Sequence, residues 1–297
     1  MAAKHRQDFE VPYDDMKEPF SGDPQSDTVT RCFSYAYMIS VDRLKHTSRL
    51  PLLNNTSDKS KNYFCFFQNG RYSRPVNGDL YDKGCGLASS FLSQVLHRNI
   101  ISMSADDITA AVYSISIAFC CATDIYSSSG VKQSGTYFER LIGHLMAVQF
   151  GTNPRGVMTT NELDGERVAI PTDFIFDLGG KRPKFHVPVK TSTRERVVQV
   201  WAQQRVLDGA YGVGRFHCLL TCISETELDK KNKDRLRVIE VCLPGQWTIY
   251  QLYIAQLTRV YYLDPPATYL ALNQSYPRIH VKPFGEFFHE LSVLNDL

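Results

Sequence analysis

Two strings of alternating side chains around a glycine pair constrain the fold of this chain more than any other feature. If residues 179–184 form the tip of a β-hairpin, Leu178 pairs with Phe185, and every later pair follows because partner numbers in an antiparallel ladder have a constant sum. One face then pairs only apolar side chains, and the other face pairs Asp173 with Lys190. Burial of the apolar face fixes the register. The pattern predicts a two-stranded ribbon that ends in a carboxylate opposite an ammonium.

A carboxylate that faces an ammonium across two strands is common on protein surfaces and contributes little stability. The predicted register also pairs Asp177 with His186, which places Asp177 on the face of Asp173 but further from the Lys190 end. A solvated ion pair is therefore a sufficient explanation of the ribbon alone. The residues that follow Lys190 favour a functional explanation.

A helix is predicted to begin shortly after Lys190. Ser192 is expected to cap it, with Glu195 completing a capping box, so that Arg194 and Arg196 project from the first turn. The start of a helix attracts anions, because its free N–H groups carry partial positive charge. Arginine matches the O6 and N7 atoms of guanine, and a carboxylate can accept from the N4 of cytosine. This triplet could read G·C pairs, although an ordinary charged first turn would look the same.

Charge is concentrated locally rather than in the chain as a whole. The net charge of the 297 residues is only +2, which does not by itself indicate a polyanionic partner. Residues 181–205, however, hold seven basic side chains and one acidic side chain, Glu195. Such a stripe can bind phosphates while the protein stays near neutral.

The string VKTSTRER at residues 189–196 resembles a motif of the type II restriction endonucleases that read CCGG or CCNGG sites, within the PD-(D/E)XK superfamily. In that family, a lysine at a strand end is followed by Thr-Ser and by an Arg-(Asp/Glu)-Arg element that reads the CC:GG bases. Pro171 and Asp173 resemble the family's proline–aspartate motif, with Thr172 inserted between them. The resemblance covers about residues 133–210.

The helix predicted over residues 135–150 is similar to the family helix that carries an additional active-site glutamate, here Glu139. The resemblance implies that Glu139 and Asp173 hold Mg²⁺ through carboxylate oxygens. It implies that Lys190 orients the attacking water and stabilises the growing charge. The implied protein is a homodimer in a bacterial cytoplasm that cuts double-stranded DNA, with TCCNGGA as the expected site.

One position departs from the family pattern. A further metal-associated glutamate is expected thirteen residues after the lysine, where this chain has the catalytic candidate Gln203. A glutamine carbonyl can coordinate a metal but brings no charge, so the number of metal ions stays open. Glu139 could supply the missing charge. The departure also motivates an alternative, a non-catalytic DNA-binding protein with a decayed nuclease core; a less specific repair nuclease is a third hypothesis.

Further DNA contacts are expected outside this motif. Arg71 and Arg74 follow an aromatic strand at residues 63–67 and could reach a groove, although a buried strand with an exposed turn is the favoured explanation. The resemblance also suggests that Gln133, before the Glu139 helix, reaches the minor groove.

The order of elements predicts an α/β (α+β) fold with a mixed central β-sheet flanked by helices and a core like that of the PD-(D/E)XK restriction endonucleases. Strands are expected at 31–43 and 63–67, with a turn at Asn69-Gly70, helices at 86–98 and 104–122, and a loop at 151–167. We expect one catalytic domain over residues 1–297, with residues 133–265 as its nuclease core and residues 1–100 as an accessory lobe in the alternative.

Nothing in the sequence indicates a membrane partner or secretion. The apolar run 108–122 is too short and too polar to span a bilayer and is expected to form a buried helix, capped by Ser104. The N-terminal residues are polar and lack the apolar segment of a secretory signal. The eight cysteines show no metal-ligand spacing, so we expect reduced and mostly buried thiols.

Overall fold

The computed structural model describes residues 15–127, 133–159, 169–180, 182–229 and 236–296. Within these ranges the helices are α1 (Lys17–Gly22), α2 (Asp27–Leu44), α3 (Gly78–Leu96), α4 (Ala105–Tyr126), α5 (Gln133–Phe150), α6 (Val197–Tyr211), α7 (Pro244–Tyr253), α8 (Ala267–Leu270), α9 (Glu286–His289) and α10 (Leu291–Asn295). The strands are β1 (Ser48–Pro51), β2 (Leu53–Asn55), β3 (Tyr63–Gln68), β4 (Arg71–Tyr72), β5 (Val76–Asn77), β6 (Arg155–Thr159), β7 (Ala169–Asp177), β8 (Lys184–Val187), β9 (Val189–Lys190), β10 (Phe216–Cys222), β11 (Thr226–Asp229), β12 (Arg237–Glu240), β13 (Arg259–Tyr262) and β14 (Val281–Pro283).

A seven-stranded mixed sheet lies at the centre, in the order β14-β13-β10-β8-β7-β6, and β9 continues beside β10. Strand β10 runs parallel to β13, β8 and β9, whereas β7 is antiparallel to both β8 and β6. Successive side chains of β10 enter different cores. Leu219 packs among the helices α2 to α5, while Cys218 and Leu220 pack against α6 and α7 around Trp201 and Trp247. Helices therefore cover both faces of the sheet, as the sequence predicts.

The ribbon is present, but its register differs from the predicted one by two residues. Phe176 pairs with Phe185, and Asp177 pairs with Lys184, with which it forms an ion pair of 2.6 Å. The predicted direct partners Leu178 with Phe185 and Asp177 with His186 are therefore wrong. A shift of two residues leaves every side chain on its predicted face, because the side-chain period of a strand is two. The apolar face is consequently buried as expected.

Helix α4 has more buried residues than any other helix of the described chain. Its most apolar window is long and apolar enough to cross a membrane, but 94% of that window is buried inside the protein. The side chain of Ser104 accepts a hydrogen bond from the backbone N–H of Asp107, so the predicted cap is confirmed. A Cβ at Gly84 of α3 would lie 1.9 Å from the carbonyl oxygen of Ala110, which shows how closely α3 and α4 approach. The predicted buried helix is confirmed, but the expectation that it is too short and too polar to span a bilayer is wrong, because the helix extends beyond residues 108–122.

Two predictions of local structure are wrong. Residues 31–43 belong to helix α2 rather than to a strand, and residues 155–159, predicted as loop, form the edge strand β6. The helix is stabilised by Ser26, whose side chain accepts from the N–H of Thr28, and by a buried stripe with helical spacing. The strand at 63–67 is confirmed, as is its turn, in which Asn69 and Gly70 have φ of 50° and 78°. Described residues include all eight cysteines, which form no disulfide.

Candidate active site

The carboxylate of Asp173 and the ammonium of Lys190 meet at the end of the ribbon. Lys190 Nζ lies 2.7 Å from Asp173 Oδ2, and the backbone N–H of Val189 donates to the same oxygen at 2.7 Å. The ladder between β7 and β8 ends before these residues, because Pro188 interrupts the strand; β9 pairs with β10 instead. The side chains of Asp173 and Lys190 are 20% and 14% exposed. The predicted contact is therefore confirmed, although the two residues are not direct partners in the ladder.

Helix α5 brings Glu139 to the same place. A Cβ at Gly143 would lie 2.5 Å from the ring of Phe174, so the backbone of α5 packs directly on β7 at this point. Gly143 is one helical turn after Glu139, and Phe174 is the residue after Asp173, so the packing brings the two acidic residues close together. Burial raises the pKa of Glu139, the negative charge of Asp173 raises it further, and Lys190 lowers it. These three groups therefore share one electrostatic environment, as the sequence predicts.

Two carboxylates in this arrangement fit a hard divalent cation. The repulsion that raises the pKa of Glu139 would be relieved by a cation between it and Asp173. Among the described residues, no group of three or more His, Cys, Asp or Glu side chains is arranged to hold a metal. A cation here would complete its coordination with water, which suits Mg²⁺ because it usually keeps several waters.

The two glutamines of α6 differ in environment. Gln203, the predicted metal-associated residue, is half-buried, and its role at a metal stays a prediction. Gln204 is buried and bridges to the sheet: its Nε2 donates to Asp208 and to the carbonyl of Phe216, both at 2.9 Å, and its Oε1 lies 3.2 Å from His186 Nδ1. Burial lowers the pKa of His186 to about 4. Gln204 is therefore a structural anchor for α6.

Residues 193–196 follow the site directly and are here called the recognition turn, after the role that the sequence predicts for them. Arg194–Arg196 form a single 3-10 turn that leads into α6. The predicted Ser192 cap is wrong, because the turn begins after Thr193 and no side chain of its own segment caps it. The backbone of Glu195 belongs to the turn, but its side chain lies outside the described residues. Arg196 is exposed, and Arg194 is half-buried.

The group that fixes the recognition turn is Glu225, which the sequence analysis missed. Its buried carboxylate accepts from the N–H of Thr193 at 2.8 Å, from the Thr193 hydroxyl at 2.8 Å and from the N–H of Arg194 at 3.5 Å. The hydroxyl of Tyr262 donates to it at 2.6 Å. Burial raises the pKa of Glu225. Glu225 lies 32 residues after Thr193, so no local motif could have indicated it.

Arg194 has a strained backbone and an incompletely satisfied side chain. Its φ of 26° is rare for a residue with a side chain and costs about 1–3 kcal/mol, which structures tolerate mainly at functional sites. Nη2 donates to the carbonyl of Thr226 at 3.2 Å, and Nη1 lies 3.4 Å from Glu227 Oε2. Nε is buried without a hydrogen-bond partner among the described residues. Within the described part of the chain, the guanidinium therefore keeps an unused donor.

A polar cleft of about 480 Å³ separates the recognition turn from the N-terminal part of the chain. Arg74 lines its far wall, where it forms a two-point ion pair with Asp124 at 2.8 and 2.9 Å. Arg71 is exposed and donates to the carbonyls of Ile125 and Ser127 at the end of α4. Both arginines thus have protein partners, and their predicted DNA contacts stay predictions.

Gln133, the remaining predicted DNA contact, is the first residue of α5. Its side chain is buried, and its carbonyl oxygen has no hydrogen-bond partner among the described residues. A contact with the minor groove would require this side chain to become accessible. The contact stays a prediction.

Comparisons with known proteins bear on the fold. No family model and no curated protein matches the chain. The crystal structure of the type IIP restriction endonuclease Kpn2I matches with a TM-score of 0.79 and 24% identity, over 97% of each chain. The fold is therefore restriction-endonuclease-like.

A second structure, the complex of the restriction endonuclease PspGI with its substrate DNA, matches with a TM-score of 0.40 and 15% identity. That match covers 71% of this chain and 81% of the other, and its similarity is too low to support an argument. Because 24% identity to Kpn2I supports the fold alone, the function has to be argued from the site.

Proposed function

We propose that this chain is a sequence-specific endonuclease that hydrolyses phosphodiester bonds of double-stranded DNA with Mg²⁺. The observation that carries the proposal is the contact between Asp173 and Lys190 at the end of the central ribbon, with Glu139 in the same electrostatic environment. A surface ion pair would need neither the buried backbone N–H that fixes Asp173 nor the helix that carries Glu139 packed beside it. The restriction-endonuclease-like fold supports the same conclusion.

The roles of the residues follow from their chemistry. Asp173 and Glu139 would hold Mg²⁺, which when bound supplies a Lewis acid at the phosphate and lowers the pKa of its water. The N–H of Val189 keeps Asp173 in place. Lys190 carries a fixed positive charge beside Asp173, where it can orient the attacking water and stabilise the negative charge of the transition state.

Recognition is assigned to the turn that follows the site. Arg194 and Arg196 offer guanidinium groups for guanine, and Glu195 is the candidate for cytosine, which together suit a CC(N)GG-containing palindrome, with TCCNGGA as the best candidate. A palindrome pairs naturally with a two-fold symmetric protein, so we propose a homodimer that acts in the cytoplasm of a bacterium. We propose that residues 1–297 form one catalytic domain, with residues 133–265 as its nuclease core.

A plasmid digest tests this function directly. The protein is incubated with plasmid of mixed sequence and Mg²⁺, and the ends of the products are sequenced; the matched control contains EDTA. Discrete fragments whose ends share one palindromic sequence are expected only with Mg²⁺. Fragments with unrelated ends would instead indicate a less specific repair nuclease.

A second candidate function is a DNA-binding protein without catalysis. Two observations favour it: Gln203 stands where the family pattern has a glutamate, and the described site offers only two carboxylates. In the same experiment such a protein would retard the plasmid in a gel with or without Mg²⁺ and would leave it uncut.

A further inference from the structure

The carboxylate of Glu227 lies 3.4 Å from Nη1 of Arg194, and both residues line the cleft. We propose that Glu227 is a specificity-determining residue, which holds the Arg194 guanidinium until a base pair offers better acceptors. The inference rests on the proposed function, because it assumes that Arg194 reads DNA. It adds a residue outside the recognition turn, on strand β11.

The hydrogen bonds of Arg194 show that its present partners are replaceable. Nη1 is 3.4 Å from the Glu227 carboxylate, Nη2 is 3.2 Å from the carbonyl of Thr226, and buried Nε has no partner among the described residues. These distances exceed those of well-formed charge-assisted hydrogen bonds. A guanine edge presents two acceptors that match the fork of a guanidinium. The exchange of Glu227 for guanine therefore improves the pairing of Arg194.

A second ion pair in the same cleft shows the contrast. Arg74 and Asp124 meet at two points, at 2.8 and 2.9 Å, and the Asp124 carboxylate also accepts from the backbone N–H of Arg74. Arg194 and Glu227 meet at one longer distance and are 38% and 46% exposed. Exposed single-point pairs are weak. The pair of Arg74 and Asp124 is therefore expected to persist, whereas the pair of Arg194 and Glu227 can open.

The consequence differs between correct and incorrect sites. Where guanine faces Arg194, the guanidinium leaves Glu227 and gains two acceptors. Where another base stands there, its weaker acceptors do not displace Glu227, so Arg194 stays paired and adds nothing to binding at that site. Competition of this kind acts against wrong partners more than against the right one, because only guanine offers the guanidinium a better pair of acceptors. Removal of the charge should therefore favour binding and cleavage at wrong sites.

The test compares the wild type with Glu227→Gln and with a matched control, Asp82→Asn. Asp82 forms an exposed ion pair of 2.8 Å with Arg49, and neither residue lines the cleft, so the control removes the same charge from another surface pair. Each protein digests the same plasmid with Mg²⁺, and the product ends are sequenced. Far-UV circular dichroism verifies that each variant is folded.

For Glu227→Gln, the share of ends at sequences one base pair away from the main site should rise about two- to fivefold, the range that a weak surface pair can supply. Asp82→Asn should leave that share unchanged. An unchanged share in Glu227→Gln, or an equal rise in both variants, overturns the inference while the proposed function stands. A wild type that makes no cuts refutes the proposed function, and the inference fails with it.

Discussion

Glu225 is the single residue on which the geometry of the recognition turn depends most. Glu225→Gln replaces one carboxylate oxygen with an amide NH2 group, which donates and cannot accept. At the Oε1 position this group would face the hydroxyls of Thr193 and Tyr262, and at the Oε2 position the N–H groups of Thr193 and Arg194, all of them donors in this structure. An unsatisfied buried group costs about 1–3 kcal/mol, so we expect a loss of that size in the free energy of unfolding. Discrimination between DNA sites should fall more than the cleavage rate at the best site.

Urea unfolding and sequencing of plasmid-digest ends measure the two effects. Tyr262→Phe is the control, because it removes a hydrogen bond to the same carboxylate without touching Thr193 or Arg194. It should cost stability and leave discrimination intact. Equal loss of discrimination in both variants would show that Glu225 acts only through general stability.

Single residues also show which features of the site can be predicted from the sequence. The face shared by Asp173 and Lys190 follows from the period of a strand and survives a register error of two residues. The partners Glu225 and Glu227 could not be found in this way, because Glu225 lies directly before strand β11 and Glu227 lies within it, about thirty residues later. Sequence patterns report neighbours within an element, whereas these contacts depend on how β10 and β11 are placed.

At the scale of elements, helix α5 is joined to α2 by a buried histidine. His144 Nδ1 lies 2.6 Å from the carbonyl of Pro24, which can only accept, so Nδ1 carries the proton and Nε2 accepts from Thr30 at 2.8 Å. Burial lowers the pKa of His144 to about 4 from 6.5. Stability that depends on neutral His144 is thus fully present above pH 6.5 and is lost as the pH falls towards 4.

The expected pH effect is about 3 kcal/mol, since each pKa unit corresponds to about 1.4 kcal/mol. Urea unfolding between pH 7 and pH 4 should show a steeper loss of stability for the wild type than for His144→Gln. His46→Asn, at an exposed position, is the control and should follow the wild type. Parallel profiles for the wild type and His144→Gln would show that the histidine does not link folding to pH.

Elements with one dominant periodicity were predicted well. Helices α4 and α5 and strand β3 follow from their apolar spacing and caps. Helix α2 was mistaken for a strand because its tyrosines and phenylalanine have high β-propensity, while its burial pattern is helical. The packing of α2 against α4 outweighs the local β-propensity of these aromatic residues.

On the scale of the whole molecule, the N-terminal third and the predicted nuclease core share their interior. The largest core cluster contains side chains from α2 and α3 together with side chains of β7 and β8. Asp264, only 2% exposed, accepts hydrogen bonds from three residues of the first hundred, Lys61, Tyr63 and Asn77. We therefore expect that residues 101–297 do not fold alone.

The fragment 101–297 would leave the Asp264 carboxylate without those three donors and would expose α4 on the side that faces α2 and α3. It should aggregate on expression or lack a cooperative thermal transition in circular dichroism, whereas the full chain should unfold cooperatively. A soluble fragment with a cooperative transition would instead identify residues 1–100 as an accessory lobe.

The fold class was predictable because the mixed order of strands and helices after residue 150 admits few topologies. The arrangement of residues 15–127 was not, because its strands pair in small separate sheets and its helices are held by contacts distant in sequence. The shared core between these residues and the central sheet is a property of the folded molecule rather than of any motif.

The most direct test of the account measures DNA cleavage by Asp173→Asn and Lys190→Met beside a matched control. Asp177→Asn is that control, because Asp177 forms a similar carboxylate–ammonium pair with Lys184 on the same ribbon. Single-turnover cleavage with Mg²⁺ should fall about 10²–10³-fold or more in the first two variants, while the control keeps cutting and all three still bind the DNA. Cleavage near the wild-type rate in Asp173→Asn or Lys190→Met would contradict the account, because hydrolysis would then not depend on the pair at the end of the ribbon.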